Sequence, residues 1–175
     1  MVLDTTTGEV VARFECFVRP SFNPRVSAFC FELTTITQEQ VDGGVSLAEA
    51  MRRHQDFVAP YMADGLLLTC GDWDLKTMLP ADAKLNDIEV PSFYKSWINI
   101  RVQFHALYQA DEVRSRPPGM AGMLKRLEIP LLGTHHRGID DCVNTAALAA
   151  RMIRDGWGSC GGGGGSDGSS VDDVY

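Results

Sequence analysis

Residues 65–80 read GLLLTCGDWDLKTMLP, and the order of residue types in them sets the class of fold. A short apolar run, 65–70, is bounded by turn residues and reads as a strand buried on both faces. It ends in Gly71-Asp72-Trp73-Asp74, and residues 75–79 then follow a helical spacing up to Pro80. A strand feeding a turn and then a helix is the building unit of a layered α/β sheet. Ligands bind such sheets at the carboxyl ends of the strands, so Asp74 is a candidate functional carboxylate. Its plain alternative is an N-cap for the helix at 75–79.

The flanking segments extend the same pattern. Residues 2–3 and 10–18 read as the arms of a hairpin around the polar turn DTTTGE. Apolar residues at 29, 30, 33 and 36 have helical spacing, and Gly43-Gly44 ends that stretch. Ser46-Leu47-Ala48-Glu49 predicts a capping box for a helix to about Val58, with Leu47, Ala50, Met51 and Phe57 as its buried stripe. Pro60 stops that helix. Residues 96–100, SWINI, read as a second strand, followed by helices over 101–109, 119–127 and 141–155. Met120, Met123, Leu124 and Leu127 share one side of the middle one. From about 157 the chain is rich in Gly, Ser and Asp and is predicted to be a disordered tail, 157–175, after one domain at 1–156.

Composition narrows the function classes. A chain of 175 residues with 45% hydrophobic content suits one domain with a substantial core. Its formal net charge of −7 argues against nonspecific electrostatic binding of nucleic acid, unless cations supply the positive charge. Five cysteines, an odd number without a Cys-x-x-Cys pair, argue against a disulfide framework or thiolate zinc site. They point to a reducing compartment, cytoplasm or nucleus. No stretch of 18 apolar residues predicts a membrane span.

Residues 133–152, GTHHRGIDDCVNTAALAARM, hold the second candidate group. Asp140 and Asp141 open an Ala-rich helix, where carboxylates cap N–H groups and meet the positive end of the helix dipole. His136 precedes Asp141 by five residues, and Asn144 follows it by one turn. Asn144 either steadies the site or is an ordinary core or surface residue. A third grouping, His135 and His136 with Cys142 as a thiolate metal site, has little support without paired cysteines.

These features occur together in a set of ordered segments: FVRP (17–20), SAFCFELTTIT (27–37), GDWDLKTML (71–79), SWINIR (96–101) and HRGIDDCVNTA (136–146). In that order they resemble the DEDDh 3′–5′ exonucleases, and within them the ERI-like exoribonucleases; the resemblance covers about residues 1–156. It implies an RNase H-like fold, a mixed five-stranded sheet with helices on both faces. It also implies two Mg²⁺ or Mn²⁺ ions, suited to carboxylate ligands, that clamp the scissile phosphate. On this resemblance Asp74 and Asp141 are metal ligands and His136 is the general base. The substrate is the 3′ end of RNA, with DNA left open, and the product is a nucleoside 5′-monophosphate. Leu33, Thr34 and Ile36 match the segment that lines the terminal-nucleotide pocket, with core packing as the alternative, and Leu75, beside Asp74, is a further candidate for substrate contact. Arg101, Arg137 and Lys125 are candidates for phosphate contact, with solvated surface charge as the commoner role.

Two departures from the family stand out. Its first motif, an Asp-x-Glu on the first and central strand, has no counterpart before FVRP, where the acids Asp4 and Glu9 flank a turn. If that strand buries four large apolar side chains, its absence withdraws roughly 6–12 kcal/mol, about the size of a domain's whole stability. Hydrolysis by this chain is then expected to be weak or absent, and a non-catalytic RNA- or partner-binding role is the alternative. The second departure is Thr35, where the family has Gly; a left-handed backbone there strains a β-branched residue.

Overall fold

The computed structural model describes residues 1–108 and 117–158. It is a mixed α/β structure in which the sheet is split into two pairs of strands. Strands β1 (Val2–Asp4) and β2 (Glu9–Ala12) form an antiparallel hairpin. Its turn is closed by the Asp4 carboxylate, which accepts from Thr6 and Thr7 N–H, as Asp in a turn commonly does. Strands β3 (Leu67–Thr69) and β4 (Trp97–Asn99) run parallel in strict register, Leu67 against Trp97 and Thr69 against Asn99.

The helices are α1 (Ala28–Thr34), α2 (Gln38–Asp42), α3 (Leu47–Val58), α4 (Leu79–Leu85), α5 (Ile100–Tyr108), α6 (Met120–Arg126) and α7 (Gly138–Arg154). One core forms where α5, α6 and α7 meet. Ile100, Phe104, Met123, Leu124, Leu148 and Met152 are fully buried in it. Each such side chain contributes about 1.5–3 kcal/mol of transfer free energy. The expected stripe on α6 is the one observed: Met120, Met123, Leu124 and Leu127 are all buried. Leu3, Leu68 and Cys70 reach the same core from the two strand pairs.

Several expectations are corrected. Residues 65–70 are not buried on both faces: Leu66 is 67% exposed and Leu67–Thr69 is half-buried. The reason is pairing, since β3 bonds to β4 along one edge and, among the described residues, has no strand along the other. The arm expected over 10–18 is a strand only over Glu9–Ala12, and Val18 makes one isolated bridge to Val45. Pro80 does not end a helix. It sits in the first turn of α4, which continues from a π turn at Trp73–Met78, and a first-turn proline gives up an N–H that has no intrahelical acceptor. α7 starts at Gly138 rather than Asp141.

Only half of the capping box at α3 forms. Ser46 accepts from Glu49 N–H, but the Glu49 carboxylate turns to Arg52 and Arg53, which hold its pKa down at about 2. The complete capping box is at α2, between Thr37 and Gln40. On α3 the buried residues are Ala50, Met51 and Val58, while Leu47 and Phe57 stay half-buried. Thr35 has φ 58 and caps α1 in the left-handed region, the strained conformation expected from its Gly-like position. Trp157 packs against the core and donates to Gln103, so ordered packing continues past residue 156. The rest of the expected tail, 159–175, lies outside the described residues, as does Gln109 at the expected end of α5.

Candidate active site

Asp74 is carried by the turn that follows β3. Gly71, at φ 125, provides a backbone conformation that L side chains rarely adopt, and the chain there reverses into the π turn. Asp74 lies in the first turn of that segment, exposed to solvent, and makes no capping bond there. Its neighbour Asp72 accepts from the Trp97 indole at 2.9 Å, which ties the turn to β4.

The second half of the site is the loop into α7, and it is braced from three sides. The fully buried Asn144 accepts from Leu132 N–H and donates to the Leu132 and Asp140 carbonyls. It is the buried polar side chain among the described residues, and its bonds fix the loop against the helix. Asp140 accepts from Thr134 N–H at 2.9 Å, and a Cβ on Gly133, at φ 69, would collide with that carboxylate. Asp140 thus holds the loop, while Asp141 accepts from His136 N–H at 3.2 Å. His136 has φ 73, a second strained non-glycine position, which turns its ring toward Asp141 and His135.

One result was not legible in the sequence. The His135 ring stacks on that of His136, with centroids 3.9 Å apart and planes 15° apart. One ligand atom each from His135, His136 and Asp141 lies within 4.8 Å of the others. Cys142 is outside this group, and the thiolate grouping is not formed. Adjacent histidines on a loop give no periodic signal, and the sequence raised His135 only in a grouping with Cys142, not as a partner of Asp141.

The thiols beside these carboxylates are also perturbed. Burial is the main cause that pushes the Cys70 thiol, just after β3, above its ordinary range, and the charges of Asp141 and Asp74 add to it against Arg101. The Cys142 thiol is likewise raised, first by local desolvation although the residue is exposed on α7, and further by Asp141 and Asp74.

Beside it lies an apolar slot of about 420 Å³. Phe14, Cys16 and Val18 line it from the segment after β2, and Leu67, Leu68 and Thr69 line it from β3. Asp74 and Leu75 also border it. Leu33, Thr34 and Ile36 do not; the Thr34 hydroxyl is committed to the Cys30 carbonyl and the Ile36 N–H at the end of α1. Arg101, a candidate for phosphate contact, donates to the Pro117 and Pro118 carbonyls. Arg137 reaches Glu15 at 3.9 Å while its buried Nε has no partner, and Lys125 is exposed.

This architecture is that of an exonuclease domain. The family model RNase_T: Exonuclease matches residues 1–149, and the chain belongs to that family. Among curated relatives, human ERI1 exoribonuclease 2 is 34% identical over 175 residues, spanning 89% of this chain and 25% of the relative. Human 3'-5' exoribonuclease 1 is 33% identical over 162 residues, spanning 89% of this chain and 45% of the relative. The chain therefore spans a quarter to under half of the length of these relatives. The crystallographic nuclease domain of 3'hExo, a DEDDh family member bound to rAMP, superposes with TM-score 0.79 at 34% identity over 88% of this chain and 78% of that one. A 3'-exonuclease seen in 3'-end specific recognition of a histone mRNA stem-loop gives TM-score 0.80 at 33% identity, over 88% of this chain and 54% of that one. These homologues are 3′–5′ exoribonucleases of the DEDDh family, which normally uses divalent metal ions.

Proposed function

We propose that this chain carries most of a 3′–5′ exoribonuclease domain that engages RNA 3′ ends, and that hydrolysis needs a further acidic strand to complete it. The observation that supports this most directly is the match of residues 1–149 to the exonuclease family, with Asp74 on the turn after β3 and Asp141 in the first turn of α7, where it accepts from His136 N–H. In this reading Asp74 and Asp141 are the chain's metal ligands, and their hard oxygens suit Mg²⁺ or Mn²⁺. His136 is the group placed to take a proton from water.

The donor set does not fit two ions. Asp4 binds its own turn and Glu9 is an exposed residue of β2, so two carboxylates remain where a two-ion site shares several. What this chain does alone is hold the 3′ end near an incomplete acidic centre. The unpaired edge of β3 and the apolar slot beside it favour a second reading, binding of RNA without hydrolysis.

One experiment separates the two. The chain, with and without an apolar Asp-x-Glu strand fused ahead of Met1, is incubated with 3′-overhang RNA and Mg²⁺. The exonuclease reading expects nucleoside 5′-monophosphates from the fused form, abolished by Asp141→Ala. RNA bound by both forms and cut by neither supports the binding role. No 5′-monophosphates, together with indifference to Asp141→Ala, defeats the exonuclease reading.

A further inference from the structure

We infer that His135, His136 and Asp141 form a site for a single zinc ion, of a different character from a carboxylate centre for hard cations. The three ligand atoms lie within 4.8 Å of one another on a loop already fixed in place. Around four-coordinate zinc, with bonds of about 2.0–2.1 Å, neighbouring ligand atoms are roughly 3.3–3.5 Å apart. Rotations of the imidazoles about their side-chain bonds close the remaining distance, since neither ring is fully buried.

The backbone does not need to move. Asn144 holds Leu132, Asp140 holds Thr134, and the His136 N–H is held by the same carboxylate that would bind the ion. The ligand chemistry selects the metal. Two imidazoles and one carboxylate match the three-ligand zinc site, whose fourth position is water, and imidazole disfavours Mg²⁺ and Ca²⁺. The exposed His136 leaves room for that water. Arg137, the nearest opposing charge in sequence, is drawn toward Glu15.

The inference stands apart from the exonuclease reading, because zinc bound by a chain that cuts no RNA leaves it intact. Where both hold, zinc occupies His136 and Asp141 and so competes with their nuclease roles.

The test uses the untagged chain, metal-free, titrated calorimetrically with Zn²⁺ and in parallel with Co²⁺ to read the visible bands of tetrahedral cobalt. One equivalent is expected to bind, and excess Mg²⁺ is expected to leave it bound. His135→Asn and His136→Asn should each weaken zinc by more than about 100-fold, beyond the range that outer-shell changes alone produce. His105→Asn, on α5, and Cys142→Ser should not weaken it. Circular dichroism confirms that each variant is folded. Unchanged zinc affinity in folded His135→Asn, displacement by Mg²⁺, or loss with Cys142→Ser overturns the site.

Discussion

The two ends of this domain meet different fates. Around α5, α6 and α7 the apolar residues find partners, and six large side chains are fully buried. Around β2, α1 and β3 they do not. Val10, Val11, Phe29, Phe31 and Leu66 are exposed, and α1 buries no residue at all. Both regions have the hydrophobic content of a core. The difference is that each of the three packed helices has a neighbour for its apolar stripe, while β3 pairs with β4 alone among the described residues and borders an apolar slot. A hydrophobic pattern specifies which face wants to be buried, and burial follows only where a second surface arrives.

The sharpest way to break this contrast is to fill the slot. A four-residue apolar strand fused ahead of Met1 is expected to stabilise the chain by several kcal/mol, up to roughly 6–12 if all four side chains bury. Urea unfolding of the fused and unfused forms measures it, and the m-value should rise with the added buried area. In the fused form His136→Ala should lower the rate of release of 5′-monophosphates about 10²–10⁴-fold with little change in RNA affinity.

Truncation sharpens the contrast at the next level. Leu148→Ala, in the packed end, should destabilise by about 2–5 kcal/mol, whereas Leu66→Ala should change stability by less than about 0.5 kcal/mol. Equal effects would mean that the two ends do not differ as described. Asn144→Ala should cost about 1–3 kcal/mol, because it strands the Leu132 N–H and two carbonyls, and it should quicken hydrogen exchange in 132–136.

Thr35→Gly is a smaller test. It should stabilise by about 0.5–1 kcal/mol, the left-handed strain relieved less the extra entropy of glycine. The smallest effect belongs to Asp155, whose pKa is lowered first by the Tyr108 hydroxyl and then by Arg151. A carboxylate held below its ordinary value of 3.8 stabilises the fold above that range and loses the effect as pH falls through the lowered value. Asp155→Asn should therefore flatten the acid limb of the stability profile slightly, as befits an exposed group.

The sequence by itself determined the elements whose cause is local. The Met120–Leu127 stripe, the Ser46 cap and a strand within 65–70 are each set by neighbours within a turn or two, while the exonuclease segments and the demand on Thr35 were legible through the family resemblance. Only the tertiary structure decided that Asp140 braces the loop while Asp141 faces His136, and that His135 stacks in beside them. It alone committed Arg101 to the Pro117 and Pro118 carbonyls and, among the described residues, paired β3 with β4 alone. The physical reason is range. Helix stripes and caps are written in the 3.6-residue spacing of one segment, but pairing, stacking and shared charge depend on segments brought together by the core.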